Sequence, residues 1–169
     1  MRWSVAAHDI VFTRSAYVTF FSLGRCVPIC RGEGVYQRGM DFCVDRLNDG
    51  GWVHIFPEGR VNLEKEHLRL KWGVGRLIAD AKTVPKVIPF YHIGADDVYP
   101  NQRPYYPRFG KKLTLVVGDE MNFQSMLSSL RERKASSIEI RKSITDTIQT
   151  ELFSLREKAE KVHESWTKS

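Results

Sequence analysis

The chain has 169 residues, of which 42% are hydrophobic and 27% are charged. This composition is typical of a globular domain with a hydrophobic core, and it excludes an intrinsically disordered chain. The formal net charge is +6, which favours anionic partners such as phospholipid surfaces, phosphorylated substrates or nucleic acid without choosing among them.

Strands and helices are predicted to alternate in the first half of the chain. Residues 27–30 predict a short buried strand that a Gly-rich turn ends. From Val35 onward, apolar residues recur every three or four positions, which predicts a helix closed by a Gly-Gly pair. Residues 52–56 combine β-branched and aromatic side chains and predict a second strand, and residues 73–81 predict a helix with one apolar face.

The second half of the chain adds two strands and a long helical region. Residues 87–91 predict a buried strand and residues 113–117 predict another strand, with a loop rich in Pro and Tyr between them. The last part carries an apolar stripe at spacings of four, four and three residues, formed by Ile144, Ile148, Leu152 and Leu155. The whole pattern predicts a single domain over residues 1–169. Its fold class is α/β, with a largely parallel sheet flanked by helices and a C-terminal amphipathic helix.

The clearest chemical signal is the sequence Phe-Pro-Glu-Gly-Arg at 56–60, directly after a buried strand. Ligands of α/β proteins bind at this end of the strands. A carboxylate there, Glu58, can accept hydrogen bonds from a polyol, and the guanidinium of Arg60 can hold a phosphate. Gly59 is expected to adopt a backbone conformation that other residues reach only at a cost. A lone Pro-Glu-Gly turn is more often only the end of a strand. Here it is not alone, because Arg31 stands at the equivalent place after the strand 27–30.

These motifs resemble those of the glycerophospholipid acyltransferase superfamily, which has four sequence blocks. The blocks are His-x-x-x-x-Asp, a Gly-rich strand ending in Arg, Phe-Pro-Glu-Gly, and a Val/Ile-Pro strand. Blocks two, three and four occur here in that order, at 24–31, 56–59 and 87–89. Three longer segments are similar to the tafazzin family: 52–62, 70–78 and 104–110. The similarity covers nearly the whole chain.

The resemblance implies a reaction, a location and a set of site residues. Tafazzins move acyl chains between phospholipids and lysophospholipids without coenzyme A, and so remodel cardiolipin in mitochondria. We therefore expect phospholipid and lysophospholipid substrates, no cofactor, and an interfacial position on a mitochondrial membrane facing the intermembrane space. Carried over to this chain, the substrate-binding residues of the family fall on Arg31, Glu58, Gly59 and Arg60.

The first block of the family is absent from its expected place before block two. In the family, its histidine is the general base and its aspartate orients that histidine. His8 is followed five residues later by Thr13, whereas His92 and Asp97 have the right spacing but follow block four. Gly94 between them opposes the helical turn that would fix such a pair. We therefore expect no catalytic residues of this class in the chain, which we interpret as N-terminally truncated relative to the family and inactive alone.

A basic and aromatic loop is the predicted membrane contact, because such side chains suit a lipid interface. Its contact residues are Arg103, Tyr105, Tyr106, Arg108, Phe109, Lys111 and Lys112. The apolar stretch 16–23 is too short to span a bilayer and is the second candidate for an interfacial contact. Both features predict a peripheral or interfacial membrane association.

Two other functions remain compatible with the sequence. A catalytically inactive form could act as a membrane or protein interaction module with the same fold. A nucleic-acid-binding module could stack bases on the loop 103–112, but no nucleic-acid motif accompanies the loop, so we expect no nucleic acid partner. Cys26, Cys30 and Cys43 lack further ligands at metal-binding spacing, so we also expect no metal and reduced thiols.

Overall fold

The computed structural model describes residues 1–103 and 105–167, and the chain divides into two compact units. The first unit comprises Met1–Pro85 and Asn122–Asp146, and the second comprises Lys86–Met121 and Thr147–Ser169. The α/β fold class that the sequence predicts is confirmed, with a parallel sheet flanked by helices and a helix at the C-terminus.

A three-stranded parallel sheet forms the centre of the first unit. Its strands are β1 (Arg2–Ala7), β2 (Cys26–Ile29) and β3 (Trp52–His54), in the spatial order β2-β1-β3. In the register of the sheet, Ala7 lies opposite Ile29 and Ser4 lies opposite His54. Since all three strands run in the same direction, their carboxyl ends point to one edge of the sheet.

The central strand β1 is an element for which the sequence gives no prediction. Two large apolar side chains, Trp3 and Val5, alternate along it and pack against the core of the first unit. Arg2 and Ser4 alternate with them, but the two alanines that follow add little apolar contrast, so the strand signal in the sequence is short. Strand β3 is also shorter than predicted, because it ends at His54 instead of residue 56.

The described residues contain helices of very different lengths. They are α1 (His8–Val11), α2 (Ser15–Leu23), α3 (Arg38–Asn48), α4 (Gly73–Asp80), α5 (Ala95–Val98), α6 (Gln124–Glu132) and α7 (Ser137–Thr167). Helix α7 has 31 residues and contributes to both units. Helices α1 and α2 connect β1 to β2, and α3 connects β2 to β3, so each parallel strand is joined to the next by helix as parallel pairing requires.

The core of the first unit lies between the sheet and the helices α3 and α4. Its buried cluster consists of Val27, Met40, Cys43 and Leu77. Gly39 allows α3 to approach β2 closely, because a Cβ at this position would overlap the carbonyl oxygen of Pro28. Burial raises the pKa of the Cys43 thiol to about 11, so this thiol stays protonated and unreactive near neutral pH.

The second unit contains an antiparallel pair of strands, β4 (Phe90–Ile93) and β5 (Thr114–Val117). The strand predicted at 87–91 is misplaced: Val87 makes only an isolated bridge with Met121. Pro89 explains the shift, because it has no N–H to donate to a strand ladder. The strand predicted at 113–117 is confirmed to within one residue.

Candidate functional site

The carboxyl edge of the parallel sheet brings together segments that are far apart in the sequence. Strand β1 leads into His8 and Asp9, β2 leads into Arg31, and β3 leads into the turn that contains Glu58. Polar side chains at the carboxyl ends of neighbouring parallel strands form the usual ligand site of open α/β sheets. This edge is therefore the candidate functional site of the first unit.

Arg31 forms an ion pair with Asp9 at this edge. Each residue lies two positions beyond the last strand pair, Ala7 and Ile29, with Asp9 in α1 and Arg31 in the turn after β2. Nη2 of Arg31 donates a hydrogen bond to Oδ2 of Asp9. This bond lowers the pKa of the Asp9 carboxyl and raises the pKa of the Arg31 guanidinium.

The ion pair is accessible to a ligand. The exposed fractions of the Arg31 and Asp9 side chains are 43% and 56%. Exposed ion pairs of this kind add little to the free energy of unfolding, because water screens the two charges. Asp9 is a site residue that motif comparison misses, because its only signal is its place after a strand that the sequence does not reveal.

The turn after β3 fixes the backbone around Glu58 and Gly59. Gly59 has a φ of +68°, in the left-handed region that favours glycine, so the special conformation predicted for this residue is confirmed. The Gly59 N–H donates to the carbonyl of Phe56 at 3.2 Å, and the Lys71 N–H donates to the carbonyl of Pro57 at 2.7 Å. Glu58 is a half-buried residue of this turn.

A shallow depression adjoins this turn and has a volume of about 110 Å³; it is lined by Arg60, Val61, Asn62, Leu63 and Glu64. The side chain of Asn62 shapes it by bonding both backbone groups of Glu66, at 2.7 and 3.1 Å. Pockets for small molecules typically measure about 300–1,000 Å³. The depression therefore suits a small polar group, such as a phosphate, better than an acyl chain.

The four predicted substrate-binding residues all lie in the first unit, just past the carboxyl ends of β2 and β3. Arg31 and Arg60 are exposed and offer guanidinium groups, and Glu58 offers a carboxylate. Such groups suit a phosphate ester and a polyol, respectively. Their contact with a substrate stays a prediction.

His92 and Asp97, the pair with the family spacing, lie in the second unit. His92 is an exposed residue of β4 and pairs with Leu115, whereas Asp97 lies in α5. Gly94 stands between them at the start of α5 with a φ of +87°. The two residues therefore belong to different elements, and no single helical turn presents them together.

The predicted membrane-contact loop also lies in the second unit, and most of it faces solvent. The exposed fraction of Phe109 is 96%, and Tyr105 and Tyr106 are exposed as well. Lys112 differs from the other basic residues, because its Nζ donates to the backbone oxygen of Trp166 and lies 4.8 Å from the centre of the Trp166 ring. Pro104, the first residue of the tafazzin-like segment 104–110, lies outside the described residues.

Residues 1–103 and 105–167 contain neither a candidate metal cluster nor a candidate membrane-spanning helix. No group of three or more His, Cys, Asp or Glu side chains within these ranges could hold a metal ion. No helix in the same ranges is both long and apolar enough to cross a membrane. The chemistry that the edge itself offers is that of a carboxylate and two guanidinium groups.

Comparison with known proteins adds independent information. A family model described as Acyltransferase matches residues 1–93. Tafazzin of Drosophila melanogaster is 45% identical over 163 residues, which are 96% of this chain and 43% of that protein. The Taffazin of Dictyostelium discoideum is 43% identical over 131 residues, covering 75% of this chain and 46% of that protein. N-acylphosphatidylethanolamine synthase of Arabidopsis thaliana is 41% identical over 128 residues, covering 72% and 45%.

The chain spans a little under half the length of these curated relatives. The segment that the family model matches contains all three parallel strands and the edge with Arg31 and Glu58. The sequence motifs, the candidate site and the family match therefore concern the same residues. The predicted relationship is confirmed: the chain belongs to the acyltransferase family, and within it the chain is similar to tafazzins.

Proposed function

We propose that the chain is the head-group-binding part of a phospholipid acyltransferase that moves acyl chains between phospholipids and lysophospholipids without coenzyme A. The observation that carries this proposal is the edge of the parallel sheet, where Arg31 and the turn 56–60 follow the two outer strands, β2 and β3, on either side of β1. The similarity to two relatives named tafazzin supports the substrate class.

Three residues of the edge have a defined task in this proposal. The guanidinium groups of Arg31 and Arg60 bind the phosphate of the head group. The carboxylate of Glu58 accepts a hydrogen bond from a glycerol hydroxyl and so orients the lysolipid. The oriented hydroxyl attacks the ester carbonyl of the donor lipid and passes its proton to a general base. The bond from the carbonyl carbon to the donor's glycerol oxygen then breaks, and the base returns the proton to that oxygen, so the donor leaves as a lysolipid.

The finer proposal is that the lipid is cardiolipin and the location is a mitochondrial membrane, on the side that faces the intermembrane space. The tafazzin-like segments support this proposal, and the net charge of +6 suits a strongly anionic lipid. A second acceptor is favoured by the relative named N-acylphosphatidylethanolamine synthase. For that acceptor, the amine of phosphatidylethanolamine takes the place of the lysolipid hydroxyl.

An acyl-transfer assay distinguishes these acceptors. A protein that joins this chain to the additional length of its relatives is given a labelled diacyl phospholipid and either lysocardiolipin or phosphatidylethanolamine. We expect label on lysocardiolipin without coenzyme A. Label on the ethanolamine nitrogen would favour the second acceptor, and a strict need for coenzyme A would contradict the transacylase proposal. Lipid binding without any transfer would favour the inactive interaction module.

We also propose that the loop 103–112 contacts the lipid surface. Replacing Arg103, Arg108 and Lys111 with Ser is expected to weaken binding to anionic vesicles by roughly 150-fold, because each cation near such a surface contributes about 1 kcal/mol. Binding of the unchanged chain should fall as salt rises, since salt screens exposed charges. A flotation or sedimentation assay measures both effects, and Lys112→Ser should add little because Trp166 already engages that side chain.

A charge-matched variant provides the control for this experiment. Replacing Lys82, Lys158 and Lys161 with Ser removes the same charge from exposed positions elsewhere, and it should weaken vesicle binding much less. Equal losses in the two variants would show that only net charge matters. Unchanged binding in the loop variant would indicate that the loop is not the membrane contact. Helix α2 would then be the better candidate, because its Phe20 and Leu23 are 70% and 81% exposed.

A further inference from the structure

The turn that carries Arg31 is closed by one side chain, that of Gln37. Its Oε1 accepts a hydrogen bond from the Cys30 N–H at 2.8 Å. Its Nε2 donates to the carbonyl of Cys30 at 3.1 Å and to the carbonyl of Gly34 at 2.8 Å. The amide therefore pairs with both backbone groups of the residue that precedes Arg31, as a neighbouring strand would.

Because of these bonds, the Gln37 side chain does not cap the helix that begins after it. Gln37 occupies the N-cap position of α3, where side chains usually accept a bond from the first turn of the helix. It makes no such capping bond, and its side chain turns back toward the end of β2 instead. Helix α3 is itself fixed against β2 at Gly39, so the amide is anchored to the sheet that it braces.

The turn needs such a brace because its own sequence is permissive. Gly32 and Gly34 adopt φ values of +92° and +79°, and glycine loses more conformational freedom on ordering than any other residue. Without the three bonds of Gln37, the segment from Cys30 to Gly34 would sample many conformations. The other restraint on Arg31 acts on its side chain, through the ion pair with Asp9.

We propose that Gln37 is a positioning residue for Arg31, which holds the backbone from which the guanidinium reaches the phosphate of a lipid head group. This inference rests on the proposed function, because that function assigns the phosphate to Arg31. Preorganisation strengthens binding by reducing the entropy that the ligand must remove. The backbone partners of Gln37 lie near the surface, where water can replace the lost bonds, so its removal should cost little stability.

The first measurement concerns the free protein. Backbone ¹⁵N relaxation should show a clearly lower order parameter at Arg31 in Gln37→Ala than in the unchanged chain. Gln37→Glu keeps the acceptor for Cys30 but loses both donated bonds, so it should behave like Gln37→Ala. Gln124→Ala changes an exposed glutamine of α6 and should leave Arg31 as it is. An unchanged order parameter at Arg31 in both Gln37 variants would overturn the inference.

The second measurement is a titration with glycerol 3-phosphate, a soluble head-group probe, followed by NMR. We expect Gln37→Ala to weaken binding about five- to tenfold, with a nearly unchanged melting temperature. Arg31→Ala should weaken binding more than Gln37→Ala does while Arg60 still holds the phosphate, and adding Gln37→Ala to it should then have no further effect. Full binding by Gln37→Ala overturns the inference alone. Full binding by Arg31→Ala overturns the assignment of Arg31 in the proposed function, and the positioning role with it.

Discussion

Joining this chain to an upstream segment that carries His-x-x-x-x-Asp is expected to raise its acyl-transfer rate by about a hundred- to ten-thousand-fold, the usual contribution of a general base. No histidine and aspartate with this spacing precede residues 24–31 in the sequence. Without such a base, the lysolipid hydroxyl keeps its proton and is a poor nucleophile. Transfer of a labelled acyl chain to lysocardiolipin without coenzyme A measures the effect.

Two histidine variants control this experiment. Replacing the added motif histidine with Ala should return the rate to that of the chain alone, whereas His92→Ala should matter little in either form. The opposite result is equally clear. If the chain alone transfers acyl groups robustly and loses this activity on His92→Ala, then His92 and Asp97 are the catalytic pair and the proposed edge is not the active site.

Glu58→Ala in the same joined protein is expected to lower the transfer rate by about a hundredfold. The carboxylate is assigned a hydrogen bond to a substrate hydroxyl, and bonds to charged groups contribute about 1.5–3 kcal/mol. The melting temperature should stay nearly unchanged, because the backbone bonds of Gly59 and Lys71 hold the turn without the Glu58 side chain. Rate measurements and a thermal melt on one preparation separate the two quantities.

Gly59→Ala is the contrasting variant for this prediction. Its φ of +68° forces a side chain into a conformation that costs about 1–2 kcal/mol, so both the rate and the melting temperature should fall. Glu58→Gln keeps the size of the side chain and should lose less activity than Glu58→Ala. Activity of Glu58→Ala within twofold of the unchanged protein, with a normal melt, would remove Glu58 from the site.

The elements with a strong apolar pattern were predictable from the sequence. Strand β2, helix α3 and helix α4 lie within a few residues of their predicted places, because each buries a continuous apolar face. Strand β1 was not predictable, since it is central in space but carries only two large apolar side chains, Trp3 and Val5. Strand β4 begins only after Pro89, because proline has no N–H to donate to the strand ladder. The pairing of backbone groups, and not apolar content, therefore decides where this strand begins.

The residues of the candidate site also differ in how far the sequence predicts them. Arg31 and the turn 56–60 follow strands that the sequence shows, so their common edge could be anticipated from the rule for parallel sheets. Asp9 enters the site because α1 begins where β1 ends, and no local pattern encodes the pairing of β1 with β2. The bonds of Gln37 join a helix start to the end of a strand seven residues earlier, and such a contact depends on how α3 packs.

The direction of β1 sets a minimum reach for any catalytic group supplied from before Met1. The carbonyl of Met1 accepts a hydrogen bond from the Trp52 N–H, at the start of β3. A preceding segment therefore leaves the sheet at the amino edge, opposite Asp9 and Arg31. Strand β1 has 6 residues and so measures about 20 Å. The connection between Met1 and a histidine at the carboxyl edge must span this distance, which requires roughly six extended residues or about thirteen helical ones. A shorter connection would hold the base on the wrong side of the sheet, however well its motif was formed.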